Sequence, residues 1–248
     1  MLYTRIPIPC FKPDEDDMGH VIAFLPIAGF IIAALMYVLL KFTGGMGIPV
    51  IVRAIAAVLV PIVVTGGFHI DGFMDTTDAL RSYLPRERKL EIMHDPHTGS
   101  FAVIGLVTAT LFMIAGFCLI ADIDAPNVNG LIIDTCGIFV ISRAMAALTS
   151  IHMKKARNDG LLSKETADTG KTDTVLLAVQ LIAALAVMVY ADAAATGIIL
   201  LTFAVFTLVY RHITFRNFGG VTGDTAGYYV TMSETVAVFV LAIATRFT

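Results

Sequence analysis

The 248-residue chain is 57% hydrophobic and only 15% charged, with a mean hydropathy of +0.81. A soluble domain carries about a quarter charged residues and is about half apolar, so this balance excludes a water-surrounded core and points to lipid as solvent. The formal net charge of −3 says little where placement of charge matters more than its sum. Without a basic stripe with interleaved aromatics nucleic-acid binding gets no support, and Cys10, Cys118 and Cys136, with no CxxC or Cys/His grouping, suggest neither a zinc site nor a disulfide framework.

In chain order, the first residues lack the basic start and apolar run of a cleavable signal and turn acidic at Asp14–Asp17. Apolar runs near the ~20 residues that cross a bilayer follow at 21–40, 50–66, 101–121, 131–151, 175–191, 195–210 and 229–246. The expected fold is therefore all-α: a polytopic membrane helical bundle of about seven transmembrane helices, forming one unit over residues 1–248. Should a polar loop re-enter the membrane, residues 67–100 are the best candidate. A cytoplasmic N-terminus puts thirteen of the seventeen Lys and Arg residues on the cytoplasmic side. Lys41, Arg53 and Arg246 fall on the other side, and Arg143 falls inside a span. That asymmetry obeys the positive-inside rule. The long polar loops at 67–100, 152–174 and 211–228 then share the cytoplasmic face, where function is expected.

The densest polar segment is Gly66-Gly67-Phe68-His69-Ile70-Asp71-Gly72-Phe73-Met74-Asp75-Thr76-Thr77-Asp78-Ala79. On a helix, Asp71, Asp75 and Asp78 fall within roughly 60° of one another. Stacked carboxylates repel unless a cation lies between them, and Mg²⁺ readily takes a few carboxylates together with phosphate oxygens. His69 lies about 200° from Asp71 on a helix, so it can accept a proton beside Asp71 only if the chain there is not helical. Asp95, in the His94–Ser100 loop, is a further candidate at the membrane surface. Arg143 lies deep in a span and needs a partner, either an anionic substrate or one of the aspartates, and Glu234 is a second costly intramembrane charge. The 218–227 loop is rich in glycine; Gly220 and Gly223 can let backbone amides approach phosphate, with Asp224 beside them. Lys155 and Arg157 supply loop cations. Together these residue types suit a metal-dependent transferase acting on a phosphorylated substrate at the cytoplasmic membrane face.

The 66–79 segment resembles the hallmark of the cobalamin synthase family of adenosylcobinamide-GDP ribazoletransferases. The similarity continues at Thr4–Pro7, Asp95–Gly105, Ser142–Met145, Ala156–Gly160 and Gly219–Asp224, in the family's order. One departure is Thr231, where the family often carries an acidic residue. The resemblance implies a cell-membrane enzyme that joins adenosylcobinamide-GDP to α-ribazole or its 5′-phosphate, with Mg²⁺ as cofactor and GMP as leaving group. It implies that Asp71, Asp75, Asp78 and Asp224 hold the metal and that His69 or an aspartate takes the hydroxyl proton. Arg143 would then neutralise charge, with Asp95, Lys155, Arg157, Gly220, Gly223 and Asp224 binding substrate. A second copy of the chain is an allowed partner. The rival readings are another Mg²⁺-dependent membrane transferase of a diphosphate, or a transporter built on Arg143 and Glu234.

Overall fold

The computed structural model describes residues 3–5, 19–121, 128–157 and 160–246. Ile6, Pro7, Cys10, Asp14–Asp17, Asn158 and Asp159, named above, lie outside the described residues. Helices account for all regular structure among the described residues. They are α1 Leu25–Thr43, entered through a 3-10 turn at Val21–Phe24, then α2 Val50–Thr65, α3 Phe68–Arg81, α4 Arg86–Ile92 and α5 Ser100–Ala121. The series continues with α6 Val128–His152, α7 Leu161–Glu165, α8 Lys171–Asn217 and α9 Gly223–Ala244. One isolated parallel bridge joins Lys155 to Val221.

Five of these helices are long and apolar enough to cross a bilayer: α1 with its leading turn, α5, α6, α8 and α9. The pair α2 and α3 passes the same test together but is bent by 98°. The protein is thus an all-α polytopic membrane bundle. Leu35, Val63, Ile104, Leu111, Ile182, Leu201 and other large apolar side chains are exposed on its flanks, the arrangement expected where lipid is the solvent. Helix α6 is the axis. It is buried along most of its length and packs against α1, α8 and α9.

Helix α8 spans 47 residues as one run, but Asp192 in its middle has extended backbone and divides it into two helices. The side-chain contacts show that the second half doubles back. Thr174 lies 3.3 Å from His152 at the end of α6, and Thr196 donates to Asp134 near the start of α6 at 3.1 Å. Asn217 then returns to Lys89 (2.6 Å), and Tyr210 reaches Thr225 (3.2 Å). Asp192 makes this corner because its carboxylate accepts from the Ala194 and Ala195 amides at 3.0 Å, capping the returning helix. The apolar runs at 175–191 and 195–210 are the two arms of this hairpin.

Candidate active site

Two glycines set the direction of α3. Gly66 and Gly67 both have left-handed backbone (φ 66° and 84°), which ends α2 and turns the chain by 98° into α3. The N-terminal segment braces this corner: Arg5 donates its amide to the Val64 carbonyl at 2.9 Å, and its side chain packs on Gly66. Helix α3 therefore leaves the membrane-spanning stack and runs across the ends of α5 and α9. At Gly72 the approach to α9 is so close that a Cβ would sit 2.8 Å from the Asp224 backbone. Gly227 offers the matching gap on α9, where a Cβ would sit 2.9 Å from the His69 carbonyl oxygen. Small residues on both helices bring the backbones together, and Asp71 and Asp75 arrive beside Asp224.

A cavity of about 230 Å³ opens at this junction. Asp71, Gly72, Gly223 and Asp224 line it together with His94, Lys155, Arg157 and Ser163. The Arg157 guanidinium lies 3.1 Å from the His94 ring. Asp75 is one turn along α3 from Asp71. Burial, and then the charges of Asp71, Asp224 and Asp78, push its carboxyl up to about 6. Such a carboxylate gains from a cation nearby. Among the described residues no three His, Cys, Asp or Glu side chains are grouped closely enough to hold a metal alone. The carboxylates instead suit Mg²⁺ whose coordination is completed by phosphate oxygens and water.

Several residues singled out in the sequence lie elsewhere. Asp78 accepts from the Gly99 amide (2.6 Å) and the Ala102 amide (2.7 Å), so it caps the first turn of α5. Its charge still acts on Asp75, but two amides already engage its oxygens, which sets it apart from Asp71 and Asp75. Asp95 is exposed, accepts from the amide and ring of His97 at 2.9 and 2.7 Å, and stays outside the cavity. Its neighbour His94 is the residue of that loop that reaches the cavity, and the sequence reading did not rank it as a site residue. Arg143 is 1% exposed and bonds to Glu234 at 2.5 Å, while Ser142 donates to the same carboxylate at 2.7 Å. Arg143 and Glu234 thus answer each other, and neither an aspartate nor the cavity is the partner of Arg143. His69 is helical and buried, with Arg143 and Glu234 lining the same small void away from Asp71. The helical backbone there removes the condition under which His69 could act beside Asp71.

The glycine-rich loop divides in two. At Gly220 a Cβ would overlap the Lys154 carbonyl, and the Val221 amide donates to that carbonyl at 2.9 Å. Gly220 thus allows the 154–156 and 220–222 segments to pair, which fixes Lys155 and Arg157 at the cavity. Gly223 has open space around it and faces the cavity at the first turn of α9. A larger cavity of about 890 Å³ lies on the opposite side of α3, between α5 and α9. Its lining of Phe101, Ile104, Phe112 and Val240 is exposed and apolar, and it lacks the carboxylate and cation pairs of the smaller one.

The family model for cobalamin-5-phosphate synthase matches residues 1–242. Curated relatives named adenosylcobinamide-GDP ribazoletransferase align over nearly the whole chain. The Lachnoclostridium phytofermentans protein is 29% identical, with 98% of this chain and 91% of the relative covered. The Clostridium botulinum (strain Alaska E43) protein is 31% identical over 96% and 92%, and the Listeria monocytogenes (strain HCC23) protein 31% over 97% and 94%. No solved structure matches the chain. With the match running from the first residue into the last helix, the chain belongs to the cobalamin-5-phosphate synthase family.

Proposed function

We propose that this membrane protein joins adenosylcobinamide-GDP to α-ribazole, or to its 5′-phosphate, with release of GMP. One observation carries the reading beyond family membership. A single cavity gathers the Asp71 and Asp224 carboxylates with Lys155, Arg157 and His94. That is the arrangement a diphosphate substrate requires: cations for its oxygens, and carboxylates for a metal and for a proton.

In the proposed reaction a ribazole hydroxyl oxygen attacks the phosphorus attached to cobinamide. The new P–O bond forms as the bond to GMP breaks, and the hydroxyl proton passes to a carboxylate of the cavity. Lys155 and Arg157 neutralise the charge that collects on the phosphoryl oxygens. Asp71, Asp75 and Asp224 are the residues that would hold Mg²⁺, which when bound screens the diphosphate and withdraws charge from phosphorus. The position of Asp71 and Asp224 in the cavity favours a carboxylate over His69 as proton acceptor. The transporter reading loses its motive, since Arg143 and Glu234 neutralise each other.

The active face is cytoplasmic in this proposal, and α1, α2, α5, α6, the two arms of α8 and α9 make seven crossings. The reading is tested by measuring GMP release from both substrates by the purified protein in detergent or liposomes, with and without Mg²⁺. The wild type is expected to release GMP only with the metal, and Asp75→Ala to lose at least about 100-fold in rate, the scale of one electrostatic element of a site. Wild-type release by Asp75→Ala would sink the metal assignment.

A further inference from the structure

Beside the candidate active site lies a second, much smaller void of about 40 Å³. It is lined by Tyr3 from the N-terminal segment, His69 from α3, Ser150 from α6 and Glu165 from α7. All four are buried, with exposures of 8%, 6%, 1% and 4% in that order. The Tyr3 hydroxyl, both His69 ring nitrogens, the Ser150 hydroxyl and Glu165 Oε1 have no hydrogen-bond partner among the described residues. Polar atoms sealed from solvent and left without partners are costly, and native proteins satisfy them with protein groups or ordered water. Tyr3 and Glu165 lie close enough to interact, but no protein group answers the Ser150 hydroxyl or the His69 ring. The void exceeds the roughly 10–15 Å³ that one water needs, and it offers the two to four polar partners that hold a water in place.

We propose that this void is a hydration site, in which one or two ordered waters bridge the Tyr3 hydroxyl, the Ser150 hydroxyl and the Glu165 carboxyl. The bridged groups come from three separate segments: Tyr3 and Glu165 lie close enough to interact directly, whereas no side-chain bond joins either of them to Ser150 on α6. The water is then the tie that holds the N-terminal segment and α7 against α6. Phe68, Leu161, Leu162 and Gly223 line both this void and the candidate active site, so the tie supports the floor of that site. Tyr3 also packs edge-on against Phe68, with ring centroids 6.0 Å apart.

A double-mutant cycle on the full-length protein in detergent tests the tie, read by thermal unfolding. Tyr3→Phe and Ser150→Ala each remove one oxygen, and neither residue lines the candidate active site. Each single variant is expected to lower the melting temperature, and the pair to lower it by clearly less than the sum of the two. Loss of one anchor already frees the water, so the second change removes little more. Tyr3→Phe combined with Thr108→Ala, on an exposed position of α5, is expected to be additive. Additive losses for Tyr3 and Ser150, or no loss in either single variant, would overturn the proposal. So would an empty void in an experimental map that resolves other buried waters. Neither readout depends on GMP release, so the result stands apart from the catalytic reading.

Discussion

Asp71 and Asp78 share one face of α3, yet their carboxylates serve different neighbours. Asp78 binds two amides at the start of α5, a capping role normally worth about 1–2 kcal/mol. Asp71 is exposed to the cavity and gains no such bond among those identified. Asp78→Ala is therefore expected to lower stability by about that amount, with GMP release falling only as far as α5 loosens. Asp71→Ala is expected to leave the melting temperature nearly unchanged while GMP release collapses. Measuring both quantities on both variants separates the roles; a collapse of release in Asp78→Ala at unchanged stability would restore Asp78 to the metal site. The acidic face itself was legible from spacing, because 3.6 residues per turn fix it. Its division was not, since Gly99 and Ala102 lie more than twenty residues away. Arg143 and Glu234 tell the same story: each was visible as a costly intramembrane charge, but only packing pairs residues 91 apart in sequence.

At the scale of elements, the site is made by the contact between α3 and the first turns of α9. The end of the apolar run at residue 66 marked a boundary in the sequence, but the direction of the turn comes from two left-handed residues and from Arg5 filling the corner. Gly72 was invisible as a packing residue because its role depends on a partner helix 150 residues later. With Gly72→Ala the new methyl would meet the Asp224 backbone at 2.8 Å, and backbone cannot swing aside as a side chain can. The helices must part, at a cost of about 1–3 kcal/mol for overpacking. Displacing Asp71 and Asp75 from Asp224 by even ~1 Å is expected to lower GMP release by about 100-fold. Gly45→Ala, a position with open space on every side, serves as the control and is expected to behave as wild type. Near-normal release by a well-folded Gly72→Ala protein would show that the close approach is not needed for activity.

For the whole molecule, hydropathy and charge carried much of the architecture because the bilayer imposes length on helices and a side on cations. The hairpin at Asp192 was legible as a dip between two apolar runs, although the chain there is continuous enough to form one 47-residue element. Charge is also segregated in space. Lys41 bonds to Asn129, Arg53 to the Ala121 carbonyl and Arg246 to the Leu119 carbonyl, so these three cations gather at one end of the bundle. Lys155, Arg157 and Lys89 gather at the other end, with the candidate active site. If the positive-inside rule governs insertion, that richer end faces the cytoplasm, where nucleotide substrates are available. Single cysteines in a background lacking Cys10, Cys118 and Cys136 test the orientation directly. Gly45→Cys lies at the end that carries Lys41, and Lys164→Cys lies beside the candidate active site; both positions are exposed. A membrane-impermeant maleimide applied to intact cells is expected to label Gly45→Cys at once and Lys164→Cys only after permeabilisation. The reverse pattern would turn the bundle over and separate Asp71, Asp224, Lys155 and Arg157 from the cytoplasmic pool, so the proposed reaction could not be supplied from that side.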